Sequence, residues 1–397
     1  MGSIAHPTTW LKSVPKGVVA LGVVSLFMDM SSEMIHALLP VYLVGTLGAS
    51  ALMVGLIEGI GQAVAQTTKL FSGVFSDLSG KRKPLAVLGY GLSALTKPIF
   101  ALAGSAGWIL VARIGDRVGK GIRGTPRDAM VADMVDPANR AAAFGLRQTM
   151  DSFGAFAGPL LAILLMAAFA LSIPQIFAIS IIPAALAVAV LVYAVQEPEA
   201  KSPPKATKID RAALARLGPG VWGAIGLGCL MTLARISDAF LVLRASDAGM
   251  TTLLIPLVLV LENAVDTATS WPVGVLADKI GKRGLLLAGF AVLVLANLIL
   301  GLSSGLPAIM LGVALWGLHM GLTQGLLAAM VAEAAPPDLR GTAFGMFNIL
   351  TGVALLAGNA LAGAAWTIWG APATFLLAAG LAAVSLVAGL ARRPGKA

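Results

Sequence analysis

Apolar runs close to 20 residues long follow one another from about residue 17 to about residue 391, with short polar stretches between them. That pattern leaves few folds open. Coiled as an α-helix, a run of this length matches the hydrocarbon thickness of a bilayer. The strands of a membrane barrel would read as ten-residue segments of alternating polarity, and none is present. Backbone groups inside a bilayer must satisfy one another, so the expected fold is all-α, a polytopic membrane protein. Composition agrees: 58% of the residues are apolar and 12% charged, against about 45–50% and about 25% in an ordinary soluble domain.

Twelve spans are expected, near 17–44, 51–75, 84–103, 106–122, 139–168, 173–195, 219–245, 251–277, 284–303, 306–332, 341–366 and 370–391. Residues 119–130 read as an unusually polar loop after span 4. Residues 196–217, with Pro203, Pro204 and five cations, read as a linker. It divides an N-terminal six-helix bundle, 1–195, from a C-terminal one, 218–397.

The net charge of +9 points to nucleic acid only until its distribution is seen. Cations gather in the even loops, at Lys81, Arg82 and Lys83, at Lys120, Arg123, Arg127 and Arg140, in the linker, at Lys279, Lys282 and Arg283, and at Arg340. Both tails join them, through Lys12, Lys16, Arg392, Arg393 and Lys396. The odd loops near 46–50, 103–106, 169–173, 303–306 and 366–371 hold none. By the positive-inside rule both termini and the linker are expected in the cytoplasm, and no nucleic-acid partner is expected. The single cysteine, Cys229, excludes an internal disulfide and a cysteine metal cluster.

The chain also repeats itself. GVFSDLSGKRK at 73–83 returns as GVLADKIGKR at 274–283, and DPANRAAAFG at 136–145 returns as PPDLRGTAFG at 336–345. The offsets, 201 and 200 positions, are nearly equal, as duplication of a six-span unit requires. Two such halves with matched polar hinges are a common plan for a transporter. In the first hinge, Gly73 and Gly80 allow close helix approach, and Asp77 stands beside Lys81 and Arg82. The cluster is a candidate latch between the halves on the cytoplasmic side, with Asp278 and Arg283 in the second copy.

Gly73, Asp77, Gly80, Lys81 and Arg82 resemble the signature loop between spans 2 and 3 of the major facilitator superfamily, and Gly274, Asp278, Gly281, Lys282 and Arg283 resemble its weaker copy between spans 8 and 9. Arg113 followed by Gly119 is similar to that family's span-4 arginine motif. Gly154, Gly158 and Pro159 in span 5 resemble the antiporter motif of its exporting branches, although Ala162-Ile163 replaces the usual small pair. The resemblance implies two pseudo-symmetric six-helix bundles, with spans 1, 2, 4, 5, 7, 8, 10 and 11 around a central cavity. Pro159 cannot complete the helix ladder and is expected to bend or loosen span 5.

Ionisable groups at bilayer depth are functional candidates. They fall on those cavity spans: Asp29 and Glu33 in span 1, Glu58 in span 2, Arg113 in span 4, Arg147 and Asp151 in span 5, Arg235 and Asp238 in span 7, and Glu262 and Asp266 in span 8. Lys97 in span 3 is the exception. Arg147 with Asp151 and Arg235 with Asp238 stand at helical spacing and are candidate static ion pairs. Asp29, Glu33, Glu58 and Glu262 have no basic residue at that spacing, which makes them candidate proton carriers. Trp316 and His319 in span 10 are further candidates to line the cavity. Met28, Met30, Met34 and His36 crowd the acids of span 1, a donor set a transition metal can use. Methionine in a span is ordinarily packing, and no metal site is assigned.

Gly119, Gly121 and Gly124 follow no strand and make no dinucleotide motif; no phosphate-binding loop is present, so no cofactor is expected beyond the proton gradient. An enzyme is not expected. The expected function is secondary active transport by alternating access, most simply proton-coupled efflux of small cationic, amphipathic or zwitterionic organic compounds, given the excess of cavity acids. The alternative is proton-coupled or facilitated movement of a metal ion, siderophore or other polar metabolite. Expected partners are the small-molecule substrate, protons and membrane lipids. A monomer in a bacterial inner membrane fits the short loops.

Overall fold

The computed structural model describes residues 15–79, 81–136, 139–197, 214, 216–336 and 339–391. Helices occupy almost all of them. In chain order they are α1 (Lys16–His36), α2 (Ala51–Ser79), α3 (Lys83–Leu102), α4 (Ala106–Met134), α5 (Arg140–Phe169), α6 (Ile173–Ile179), α7 (Ile181–Ala194), α8 (Pro219–Ala234), α9 (Asp238–Asp247), α10 (Leu257–Ile280), α11 (Lys282–Leu302), α12 (Leu306–Ala334), α13 (Arg340–Trp369) and α14 (Ala371–Ala391). The spans around α1, α3, α5, α6 with α7, α8 with α9, α11, α12, α13 and α14 are long and apolar enough to cross a bilayer. The remaining long helices, α2, α4 and α10, carry many of the polar groups considered below.

The duplication is visible in the helix ends. Helices α4 and α12 begin and end at positions 200 apart, as do α5 and α13. Nearly all of the expected linker lies outside the described residues.

Three departures from the expected spans have local causes. Helix α4 does not stop near residue 122 but continues to Met134, through Gly119, Gly121, Gly124 and Pro126. Of these turn-forming residues, Gly119 and Gly121 are held helical by the close packing of α3 and α2. A Cβ at Gly119 would lie 2.6 Å from Gly89 O, and one at Gly121 would lie 2.6 Å from Thr68 Cβ. Span 7 is broken at residues 235–237. The backbone N–H of Ser237 left over at the break donates to Asn359 Oδ1 of α13 at 2.7 Å, and the Ser237 hydroxyl caps α9 by accepting from Ala239 N. Such a break inside a membrane domain needs this protein-supplied acceptor. Helix α5, by contrast, runs unbroken through Pro159.

The two halves meet along α2 and α13. Ala51–Gln66 of α2 lies against Gly352–Gly363 of α13, and the approach is close because glycines face backbone: a Cβ on Gly363 would stand 2.6 Å from Ala51 O. Helix α5 meets α10 at the second seam.

The core is divided unequally along the bundle axis. At the end away from the termini, one apolar cluster joins both halves, with Met34, Leu38, Tyr42, Ile57 and Phe177 from the first and Phe240, Leu259, Trp316 and Phe375 from the second. At the termini end, the clusters stay within one half. Val18, Leu21, Met28, Tyr90 and Leu191 form one in the first half. Val221, Ile225 and Val331, and Met231, Leu286 and Phe290, form two in the second. The bundle is therefore plugged at the far end.

Candidate functional site

Below the plug, α1, α2 and α4 bring their polar faces together. Residues 25, 29, 33 and 36 of α1 recur at three- and four-residue intervals, so they share a face. Residues 113, 116, 117, 120, 123 and 127 do the same on α4. The result is a row of acids opposite a row of cations. Glu58 of α2, 1% exposed, accepts from Arg113 of α4 at 2.5 Å. His36 bridges within this group, with Nδ1 3.3 Å from Glu33 and Nε2 3.9 Å from Glu58. Lower on α4, Asp116 holds Lys97 of α3 at 3.0 Å, and Lys97 also donates to Ser32 at 3.0 Å.

Toward the termini end, Arg123 lies 3.9 Å from Asp29, donates to Ser93 at 2.8 Å and stacks 4.7 Å above the Tyr90 ring. Arg127 donates to Ser25 at 3.1 Å and stands 3.8 Å from Asp151. Arg147 joins Asp151 at 3.4 Å and Asp128 at 3.7 Å. The antiporter-like glycines set how near α5 comes to α1. A Cβ on Gly158 would lie 2.6 Å from Met30 O and 3.0 Å from Glu33 Cβ, and one on Gly154 would overlap Leu26 O.

The second half presents a different face. Asp238 starts α9, and its charge acts on Glu33, His36 and Glu58 across the seam. Glu262 of α10 is 5% exposed and interacts with Asp238, Asp266 and Glu33, and with the positive charge of Arg235. Among the described residues no cation comes within ion-pair distance of Asp238, Glu262 or Asp266. Arg235 contacts Met320 Sδ at 3.6 Å, and Asp266 accepts from Ser270 at 2.9 Å. Acids of both halves thus converge below the plug.

A family model described as Major Facilitator Superfamily matches residues 21–351 and, in a second match, 224–397. The chain belongs to the major facilitator superfamily. It is a multi-pass membrane transporter of that family and not an enzyme. An uncharacterized transporter of the same superfamily type from Methanocaldococcus jannaschii is 31% identical over 94% of each chain. An uncharacterized protein of Mycobacterium tuberculosis is 26% identical over 87% of this chain and 85% of its own. The multidrug resistance protein MdtH of Photorhabdus laumondii is 36% identical over 32% of this chain and 31% of its own. Among solved structures, a mutant form of the nucleoside transporter NupG matches with a TM-score of 0.81 at 15% identity, covering 94% of this chain and 99% of that one. A bacterial homologue of the lysosomal transporter Spinster, inward-facing and occupied, matches with a TM-score of 0.75 at 13% identity, over 98% and 97% of the two chains.

In this transporter several sequence expectations are revised. Glu58 has a cation partner, Arg113, supplied by a neighbouring helix rather than by its own. Arg147 and Asp151 do pair, but Arg235 and Asp238 do not, because the break in span 7 removes the helical register between them. Trp316 is fully buried in the plug, edge-on to His319, so it does not line open space. His319 is buried as well, its Nδ1 2.9 Å from Gly289 O in α11. No group of three metal-ligating side chains occurs among the described residues.

Among the described residues, the bonds made by Arg82, Lys83, Lys282 and Arg283 of the expected latch stay within their own half. Arg82 pairs with Asp133 of α4, and the backbone N–H groups of Arg82 and Lys83 donate to Glu197 at 2.7 and 2.9 Å. In the second half Lys282 pairs with Glu333, while Arg283 donates to Leu390 O at 3.0 Å. All these bonds are internal to one half. Gly73 faces Thr125. Gly80 and the side chains of Asp77 and Asp278 lie outside the described residues, and Lys81 has a partner of its own.

Sequence reasoning underrated the cations. Reading 119–130 as a loop removed Lys120, Arg123 and Arg127 from the cavity inventory, and with them the balance of charge. The apparent excess of acids belongs to the second half alone. The repeat of basic residues at helical spacing from Arg113 to Arg127 was the available signal.

Proposed function

We propose that this transporter exchanges protons for a small organic solute bearing a cationic or zwitterionic head, and moves it out of the cytoplasm by alternating access. The observation that carries the reading is a set of acids without an ion pair, Asp238, Glu262 and Asp266, which share only the more distant charge of Arg235, with Asp238 and Glu262 also interacting with Glu33 across the seam. A carboxylate held away from water without a partner favours either a proton or a cationic ligand. Competition between the two couples their movements in opposite directions. The short stretch of likeness to a multidrug resistance protein and the Gly154–Gly158 contact with α1 favour export.

The basic loops lie at the termini end, so we take that end as cytoplasmic. The arrangement then represents the inward-facing state, with the shared apolar cluster as the outer gate. Prokaryotic relatives are consistent with a cytoplasmic membrane. The row of cations in the first half favours one second reading, uptake or release of a polar metabolite by the same cavity.

Reconstitution tests the proposal. Proteoliposomes holding a pH gradient are challenged with cationic and zwitterionic compounds, and internal pH is followed. Substrate-triggered proton flux in the wild type, lost in Glu262→Gln and Asp238→Asn, is the expected result. Solute movement indifferent to the gradient and to both substitutions refutes proton exchange.

A further inference from the structure

A second polar space lies on the termini side of the Glu58–Arg113 pair. It is a cavity of about 310 Å³ between α1, α2, α4 and α5. Its charges do not balance. Arg123 and Arg127 are engaged, as described, by Asp29, Ser93, Ser25, Asp128 and Asp151, and Arg147 takes up what those last two acids have left. Two more cations, Lys69 of α2 and Lys120 of α4, reach the same cavity. Among the described residues neither ammonium has an ion pair or a side-chain hydrogen bond. Gln62 and Gln66, on the same face of α2, add amide donors.

Both lysines are exposed to this open space, and four cations (Lys69, Lys120, Arg123 and Arg127) line it against three carboxylates (Asp29, Asp128 and Asp151), so its net field attracts an anion. We propose that this cavity binds the anionic group, a phosphate or carboxylate, of a small solute. The inference rests on the transport reading above and deepens it. The solute directs its negative end to Lys69 and Lys120, and its cationic end to Asp238 and Glu262 in the opposite half. A lipid phosphate offers the same chemistry, but its lateral approach is blocked where α2 closes on α4. A Cβ at Gly121 would lie 2.9 Å from Ala65 O, which leaves no gap for a headgroup between these helices.

The test uses the full-length protein, purified and delipidated in detergent. Calorimetric titration with inorganic phosphate and with citrate, at fixed ionic strength, is compared with titration by choline. Wild type and the doubly substituted Lys69→Arg/Lys120→Arg protein are expected to bind the anions and not to respond to choline through this cavity. Lys69→Gln/Lys120→Gln is expected to weaken anion binding at least tenfold. Gly124→Leu provides a variant that keeps every charge. Gly124 lines the cavity and a Cβ there meets nothing within 4 Å, so the leucine fills the space and should abolish binding. Each variant is first shown to elute as the wild type does and to unfold at the same temperature.

Anion binding unchanged in the doubly glutamine-substituted protein overturns the proposal, as does absence of binding in the wild type. In nanodiscs, phosphate binding suppressed by phosphatidylglycerol but not by phosphatidylcholine assigns the cavity to lipid and overturns the solute. Anion binding that persists while Glu262-dependent proton flux is absent sinks the exchange reading and leaves this one standing.

Discussion

The Glu58–Arg113 pair is the most exacting place to test how the first half is held together. Its atoms approach to 2.5 Å, with side chains 1% and 4% exposed. Glu58→Gln leaves the Arg113 guanidinium buried without its main counter-charge, and breaking such a pair costs about 3–5 kcal/mol. Asp116 still acts on Arg113, so the lower figure applies, a shift of roughly a hundredfold in the folding equilibrium. Arg113→Leu should cost a similar amount, because Glu58 retains only His36, 3.9 Å away, and the more distant charge of Arg117. If the two costs simply added, the double variant would lose about 6 kcal/mol. Removing both charges, however, leaves neither stranded, so Glu58→Gln/Arg113→Leu should lose only about 1–3 kcal/mol, that of a buried amide left without its partner. The assay is reversible unfolding in mixed micelles, following helix content for the four proteins of the cycle. Losses that add to within about 0.5 kcal/mol would refute the claim that these two groups stabilise each other.

Three other variants follow from specific contacts. Asn359→Leu removes the acceptor for the Ser237 N–H and should cost about 1–3 kcal/mol, measured by the same unfolding assay. Gly158→Leu drives a side chain into Met30 O and Glu33 Cβ and should separate α5 from α1. Loss of a single monodisperse peak in size-exclusion chromatography is the expected result. In a Cys229→Ala background, cysteines at Leu52 and Thr367, whose backbone and side chain meet at 3.1 Å, should crosslink the plugged end. Transport should then stop and return on reduction; undiminished transport through a fully crosslinked protein would contradict a moving gate there.

Much of the architecture could be read from the chain because it depends on length and polarity, which are local. The spans, the duplication and the polar faces of spans 1, 2, 5 and 8 all follow from periodic placement of a few residues. Pairing partners were legible only where they share a helix, as Arg147 and Asp151 do. Lys97 with Asp116, and Arg113 with Glu58, are set by how neighbouring helices are rotated when they pack, and one sequence carries no register for that. The extension of α4 was hidden because three glycines and Pro126 signal a turn, yet here Gly119 and Gly121 serve close packing. The break in span 7 was hidden for the opposite reason. Residues 234–238 contain neither glycine nor proline, and only Ser237 ahead of Asp238 hinted at a new helix start.

The bracing at the termini end has a mechanical consequence. Arg82 with Asp133 and Lys282 with Glu333 occupy corresponding positions, 200 residues apart, and neither pair reaches over the seam. Each ties the start of one helix to the end of the next within its own half. Rotating one half against the other leaves both ties intact, so each six-helix unit behaves as a stiff lever. Among the described residues, the resistance to rotation then comes from the interface itself: the apolar contacts of the plug, the Leu52–Thr367 hydrogen bond and the glycine-lined track of α2 against α13. The apolar contacts have no preferred direction and can slide, whereas an ion pair spanning the seam would act as a detent.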